Sequence, residues 1–399
     1  MTALNRATVR AVNSLTARWA GFCEGGTVFA AAGIWPLLGF LADGADEAVR
    51  RELVDALGLP PDKASRAARG LLAALDAMEG VEAALGLWTH DELPLREAWS
   101  AKLPQEAHAR LSGDLRADTA ALDRWAAERT DGLIDTMPVD LGPETWLVLA
   151  SALVLRTEWE RPFEDTPLQV ASGPWQGRSI AGLTRSGTDL DSVALATTPD
   201  GAVTRLLVRG DNGIDVHLLL GDDQLSSGQV LGAGIGMLGG TLRLVPGDSL
   251  AVGTAGPGLL VTEELTLRPQ PRTLTVGTPR FTVGAEHDLL AHAGVFGLHT
   301  ATDGAPQHFQ GVSPAPLALR SARQTATATF SATGFKAAAV TALGIDYMGK
   351  PPEPRHTSTV LRVLFDRPFG FLAVHRTTRL VLAAGRVEDP EPYREDEGY

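Results

Sequence analysis

From Phe335 to Met348 apolar and polar positions alternate. Phe335, Ala337, Ala339, Thr341, Leu343, Ile345 and Tyr347 form one set. Lys336, Ala338, Val340, Ala342, Gly344, Asp346 and Met348 form the other. Both charges fall on the second set, so period two predicts a strand with one buried face. The opening residues are mostly Ala, however, which favours helices over strands. An Ala-rich helix therefore fits the same stretch. Gly349-Lys350-Pro351-Pro352-Glu353-Pro354-Arg355 continues neither element.

The flanks favour the strand. Residues 323–331 alternate and run into Gly334, 363–374 read as a strand carrying Pro368, and 378–390 as another. Residues 145–155 are nearly all apolar, the mark of a strand at the centre of a covered sheet. Shorter strands are predicted at 28–30, 83–88, 216–220, 242–244 and 279–283. Helices are predicted at 6–22, where Val9, Val12, Leu15, Trp19 and Phe22 fall near helical spacing, and at 33–44, 45–57 and 288–294. Another helix begins within 94–103, and 125–134 ends on Gly132, a helix C-cap. Mixed strands and helices with no repeat give an α+β fold class.

Composition narrows the function. The 399 residues are 44% hydrophobic and 21% charged, an ordinary globular mixture. The net charge of −13 argues against a nucleic-acid or anionic-membrane partner. Cys23 is the single cysteine, so no intrachain disulfide forms. No apolar run reaches membrane-spanning length. The first residues lack a basic stretch followed by an apolar core, which predicts a cytoplasmic protein for the sequence as given. The 43 Gly and 3 Tyr suggest a GC-rich bacterial source.

Catalytic motifs are weak. Gly234-Ile235-Gly236-Met237-Leu238-Gly239 matches the dinucleotide fingerprint by letters, but lacks the preceding strand and the later acid, and reads as a Gly-rich turn. Gly247-Asp248-Ser249-Leu250 has a hydrolase-like serine with no base at a defined spacing. His287 and His292 are five apart, so they do not share a helix face as metal ligands would. His217 reads as a core or surface group. No enzyme, cofactor or metal is expected.

Several segments together resemble the serpin family. Gly334 is followed by a charged Lys336 and then Ala337, Ala338 and Ala339, like a serpin hinge. Asp366-Arg367-Pro368-Phe369 and Gly385-Arg386-Val387 resemble its C-terminal signature. Gly44-Ala45-Asp46, 125–134, Trp159-Glu160-Arg161-Pro162-Phe163 and Phe309-Gln310-Gly311-Val312-Ser313 match at serpin-like spacing. The likeness runs from about residue 6 to 390 and is weakest between 165 and 275. It implies one domain over 1–390, and the acidic composition of 391–399 predicts a disordered tail. It also implies a large mixed sheet, two further sheets, eight to nine helices and an exposed reactive-centre loop.

The resemblance further implies a monomeric inhibitor of serine proteases. The protease would cut the loop, become acylated, and be trapped as the loop inserts into the large sheet. The bait residue would be Met348, with Gly349 beyond the cut. That suits a chymotrypsin-, elastase- or subtilisin-like enzyme. The loop is longer than usual, so Lys350 or Arg355, which suit a trypsin-like enzyme, remain alternatives. The hinge is Gly334, Phe335, Lys336, Ala337, Ala338, Ala339, Val340 and Thr341. Trp159 sits where insertion begins. Beneath the opening sheet, Ala30 to Gly33 replace a Ser-Pro-x-Ser motif, Ser151 replaces Asn and Gln324 replaces His. Ala332 and Thr333 replace two Glu, a bulky Phe335 replaces a small residue, and Gly370 stands where an apolar residue is usual. These departures keep open a second reading, a serpin-fold protein that is cut without trapping. The family's habit also leaves an extracellular location open.

Overall fold

The computed structural model describes residues 4–303, 308–335 and 356–394. Helix Arg6–Ala20 starts at Asn5, whose side chain accepts the Ala7 N–H at 2.9 Å, and buries Val12, Leu15 and Trp19. Helix Ala31–Gly44 is apolar on nearly every side and is buried accordingly. Helix Glu47–Leu57 begins on Asp46 and stops at Gly58, in the left-handed conformation. The sequence reading missed helix Pro61–Asp76, which packs against Ala31–Gly44. Helices Leu115–Arg129, Ser227–Gly239 and the short Glu97–Ser100 and Ala293–Phe296 complete the α-helices among the described residues.

The strands form three sheets. The first runs Phe281–Asp288, Ser321–Phe330, Leu147–Leu155, Val81–His90 and His108–Leu111. The second runs Ala255–Gly256, Leu259–Thr266, His356–Leu364, Thr273–Pro279, Ile180–Gly187 and Glu164–Leu168. The third runs Thr27–Phe29, Leu380–Val387, Phe369–His375, Ile214–Gly221, Ala202–Val208, Val193–Thr197 and Leu244–Pro246. Strand Leu147–Leu155 is central and buried throughout. Its Leu147, Leu149, Leu153 and Leu155 join the main core, while Val148, Ala150, Ala152 and Val154 pack with Leu122 and Ala126 of the outer helix. Alternation with both faces covered accounts for its unbroken apolar sequence.

Several expectations are corrected. Residues 234–239 are not a turn but the end of helix Ser227–Gly239, started by a capping box between Ser226 and Gln229. Its glycines permit close approach to the third sheet. A Cβ on Gly234 would lie 2.3 Å from Leu219 Cδ1. Gly370 belongs to the same contact, because a Cβ there would meet Leu231 of that helix at 2.9 Å. The absent side chain at Gly370 thus makes room for the helix. Residues 363–374 divide into two strands at Asp366–Pro368, where proline cannot donate to a ladder. Residues 279–283 likewise straddle a change of sheet, since Thr273–Pro279 and Phe281–Asp288 lie in different ones. The helices expected at 94–103 and 288–294 shrink to single turns. The expected tail begins ordered: Ala181 N–H donates to Glu391 O at 2.9 Å and Tyr393 N–H to Ser179 O at 3.0 Å. Residues 395–399 lie outside the described residues.

His217 is a core residue of strand Ile214–Gly221. Burial first, and then Arg205, push its pKa down to about 3, with Asp215 opposing. The unfolded chain therefore binds a proton below about pH 6.5 that the folded chain refuses. Stability should fall as pH drops from about 6.5 towards 3, by about 3 kcal/mol at pH 4. His217→Leu should flatten this slope in chemical denaturation measured from pH 7 to 4. An unchanged slope would assign the acid sensitivity to other groups.

Candidate functional site

The two middle strands of the first sheet, Leu147–Leu155 and Ser321–Phe330, run parallel. They pair directly from Val148 with Ser321 to Leu153 with Ala326. No strand lies between them. Beyond Ala326 this pairing stops, while Ser321–Phe330 continues to pair with Phe281–Asp288 as far as Phe330. The two middle strands thus part at one end, and the segment around Gly334 closes the gap.

That closure is built from backbone. Trp159 N–H donates to Thr333 O at 2.9 Å, Phe163 N–H to Ala332 O at 2.8 Å, and Phe335 N–H to Thr157 O at 2.8 Å. The Trp159 indole donates to Ser331 O at 2.9 Å. Ser331 N–H donates to Gly334 O at 2.9 Å, folding 331–334 into a turn. Only glycine fits at 334, because a Cβ would lie 2.4 Å from Thr157 O. Ala332 and Thr333, expected to matter for the acids they lack, take part here through their carbonyls.

Phe335 differs from the sequence expectation of a ring that still has to find room. It is already 3% exposed, with its ring centroid 6.5 Å from Trp159 and 6.4 Å from Phe371. Trp159 also packs on Phe330 at 4.9 Å. Of the residues expected to form a hinge, the described ones are Gly334 and Phe335. Lys336, Ala337, Ala338, Ala339, Val340 and Thr341 lie outside the described residues. So do the bait candidates Met348, Gly349, Lys350 and Arg355.

Midway along the paired strands sits a buried polar group. Ser151 and Gln324 are register partners, both fully buried. Gln324 Nε2 donates to Ala30 O at 2.9 Å and to Ser151 Oγ at 3.2 Å, and Gln324 Oε1 accepts Ala30 N–H at 2.7 Å. One amide side chain thus satisfies both backbone groups of Ala30, at the start of helix Ala31–Gly44. Gly33 leaves the space this requires, since a Cβ would lie 2.5 Å from Ser151 Oγ. The sequence suggested Ser151 and Gln324 as a reduced substitute for a larger cluster, and the structure brings them together with Ala30 and Gly33. It adds His287, the register partner of Gln324 on the other side, whose Nε2 meets Val28 O at 2.9 Å. Burial lowers the His287 pKa, and the Val28 hydrogen bond opposes that. The five-residue spacing to His292 drew attention to a metal and hid this role. Among the described residues no group of three His, Cys, Asp or Glu could hold a metal ion.

Replacing Gln324 by Leu should cost about 1–3 kcal/mol, because Ala30 N–H loses its partner inside the core while Ala30 O keeps the Gly33 N–H at 3.0 Å. Urea unfolding would show it as a lower midpoint at constant m-value. A loss under about 1 kcal/mol would mean that Ala30 finds other partners.

The comparisons with known proteins fit this geometry. The family model for serpin (serine protease inhibitor) matches residues 3–171 and 260–390. Serpin-Z6C of Oryza sativa subsp. japonica is 25% identical over 423 aligned residues, covering 98% of this chain and 96% of that one. Serine proteinase inhibitor A3K of Cavia porcellus is 23% identical, covering 76% and 67%. The crystal structure of human thyroxine-binding globulin with thyroxine superposes with a TM-score of 0.71 at 16% identity, covering 98% and 100%. A family model that spans most of the chain, on a fold that superposes on solved structures over nearly its whole length, establishes that this chain belongs to the serpin family.

Proposed function

We propose that this serpin inhibits serine proteases by single-turnover trapping. The protease serine attacks the carbonyl of the bait residue, Met348 or alternatively Lys350 or Arg355. An ester forms and the new amine leaves. The freed loop then enters the first sheet between Leu147–Leu155 and Ser321–Phe330, carrying the protease with it before water can hydrolyse the ester. The observation that supports this reading is the parting of those two strands at the hinge. Gly334 and Phe335 already occupy the mouth of the gap that a further strand would enter. An inserted loop would replace the six register pairs between the two strands with ladders on both of its own sides. Each added hydrogen bond contributes about 1 kcal/mol net, and apolar burial adds about 25 cal/mol per Å². The protein is a reactant consumed once, with no catalytic residue of its own.

Incubation with a panel of chymotrypsin-, elastase-, subtilisin- and trypsin-like enzymes tests this. An SDS-stable complex is expected with at least one. Mass spectrometry of the released peptide then identifies the bait residue. Ala339→Glu should abolish the complex while leaving cleavage intact, because a carboxylate on the inserting face is buried without a partner. Complex formation as in the parent would show that Ala339 does not enter the sheet.

The second reading is a serpin-fold protein that is cut without trapping. The backbone bonds that pin Ala332, Thr333 and Phe335 to 157–163 favour it, since a tightly held hinge slows insertion relative to ester hydrolysis. Cleavage with no complex across the whole panel would establish it.

A further inference from the structure

We propose that a cleft beside the hinge binds a small oxyanion of the phosphate or carboxylate class. The cleft measures about 290 Å³, and Arg161, Arg185 and Arg209 converge on it from three separate segments. A recess of about 30 Å³ adjoins it, sharing Arg161 and Arg185 and lined further by Ser186 and Gly187. Arg205 lies two residues before Leu207 and four before Arg209 on strand Ala202–Val208 and the residue beyond it, and so faces the same side.

Three arginines and three carboxylates, Glu160, Asp189 and Asp191, line the cleft. Glu160 is held by Arg376 at 3.0 Å, and Asp189 by Arg161 at 3.8 Å. Arg376 is itself anchored by Asp215 at 2.7 Å. Arg185 donates to Arg161 O at 2.7 Å and lies 4.3 Å over the Phe163 ring, contacts that fix it while Asp189 attracts it from the same cleft. Arg205 donates to the Asp191 carbonyl at 3.5 Å, and its buried Nε has no partner. Arg209 makes no ion pair with a described carboxylate. With Arg205 the group holds four arginines against Glu160, Asp189 and the exposed Asp191 on the rim, an excess of one positive charge. Burial, and then like charge, lowers the pKa of Arg205, with Arg209 as the neighbour. An anion between these forks would relieve that repulsion and accept paired N–H donors, the geometry in which guanidinium recognises oxyanions.

The position gives such a ligand a consequence. Arg161 and Glu160 belong to the same segment as Trp159 and Phe163, which hold the hinge carbonyls. A bound anion would tie that segment to strands Ile180–Gly187 and Ala202–Val208. Anion occupancy should therefore slow any opening of the hinge. Binding itself does not depend on protease trapping, so the two ideas fail separately.

The test is thermal unfolding against inorganic phosphate and against citrate, with chloride at matched ionic strength as the control. A saturable rise with phosphate or citrate is expected, and the better of the two identifies the class. Arg209→Ala should weaken the apparent affinity about tenfold, the loss of one charge-assisted hydrogen bond. Asp191→Asn should tighten it about threefold by removing a repelling charge. Both residues are exposed, so unliganded unfolding temperatures of the variants should match the parent. A rise no larger than with chloride, or one that both variants leave unchanged, would overturn the proposal.

Discussion

A single cut between Thr341 and Arg355 should raise the unfolding temperature by roughly 10–25 °C. The cut frees the loop from strand His356–Leu364, which holds its far end between Leu259–Thr266 and Thr273–Pro279. On the proposed mechanism the freed segment would then enter the first sheet. A dozen residues gaining ladders on two sides and burying one apolar face would stabilise the chain by about 10–20 kcal/mol. For a chain of this length, the entropy of unfolding is on the order of 0.8 kcal/mol per degree, which sets the expected range. The measurement is scanning calorimetry before and after limited proteolysis, with the cut site mapped by mass. An equal or lower midpoint after clean cleavage would place this protein among serpins whose loop does not insert. Because unfolding of large proteins is often irreversible, both samples should be compared at one scan rate.

Phe335 carries the second large effect, and here the structure changes the expectation. On sequence grounds a ring at this position should obstruct insertion, and Phe335→Thr should bring the inhibitor-to-protease stoichiometry towards one. The ring is instead already seated against Trp159 and Phe371 in the uncut chain. Removing it should cost about 3–4 kcal/mol, from lost burial and the cavity left behind. The expected result for Phe335→Thr is a fall of about 4–5 °C in unfolding temperature, with stoichiometry changed less than about twofold. Phe335→Arg should be worse on both counts, because it would place a guanidinium against the Trp159 and Phe371 rings in the core. Titrating residual protease activity against each variant separates the two views. A stoichiometry that drops towards one in Phe335→Thr would show that the ring must still move during insertion.

The parts that local pattern could determine were legible in the sequence. The apolar run at 145–155 announced a strand covered on both faces. The helical spacing at 6–22 and the alternation at 323–331 marked real elements. In each case the signal is contained within a few residues, because hydrogen-bond period and side-chain direction repeat locally. The family resemblance then supplied the three-sheet arrangement that no local pattern contains.

Other features were decided by tertiary structure alone. Residues 234–239 carry too many glycines to favour a helix locally, and the sequence pattern reads as a turn. The helix forms because its glycines let it sit against Leu219 and Leu372, and burial there outweighs the propensity cost of about 1 kcal/mol per glycine. Gly370, read as a departure, is the other half of that contact. Phe335 looked like an obstacle because nothing in the sequence says that Trp159 and Phe371 will be waiting for it. Gln324 finds Ala30 across 294 residues of chain, and Arg161, Arg185 and Arg209 meet only once two sheets are assembled. Period and capping are properties of neighbours along the chain. Packing room, paired buried amides and converging charges are properties of neighbours in space, which the sequence specifies only through the completed fold.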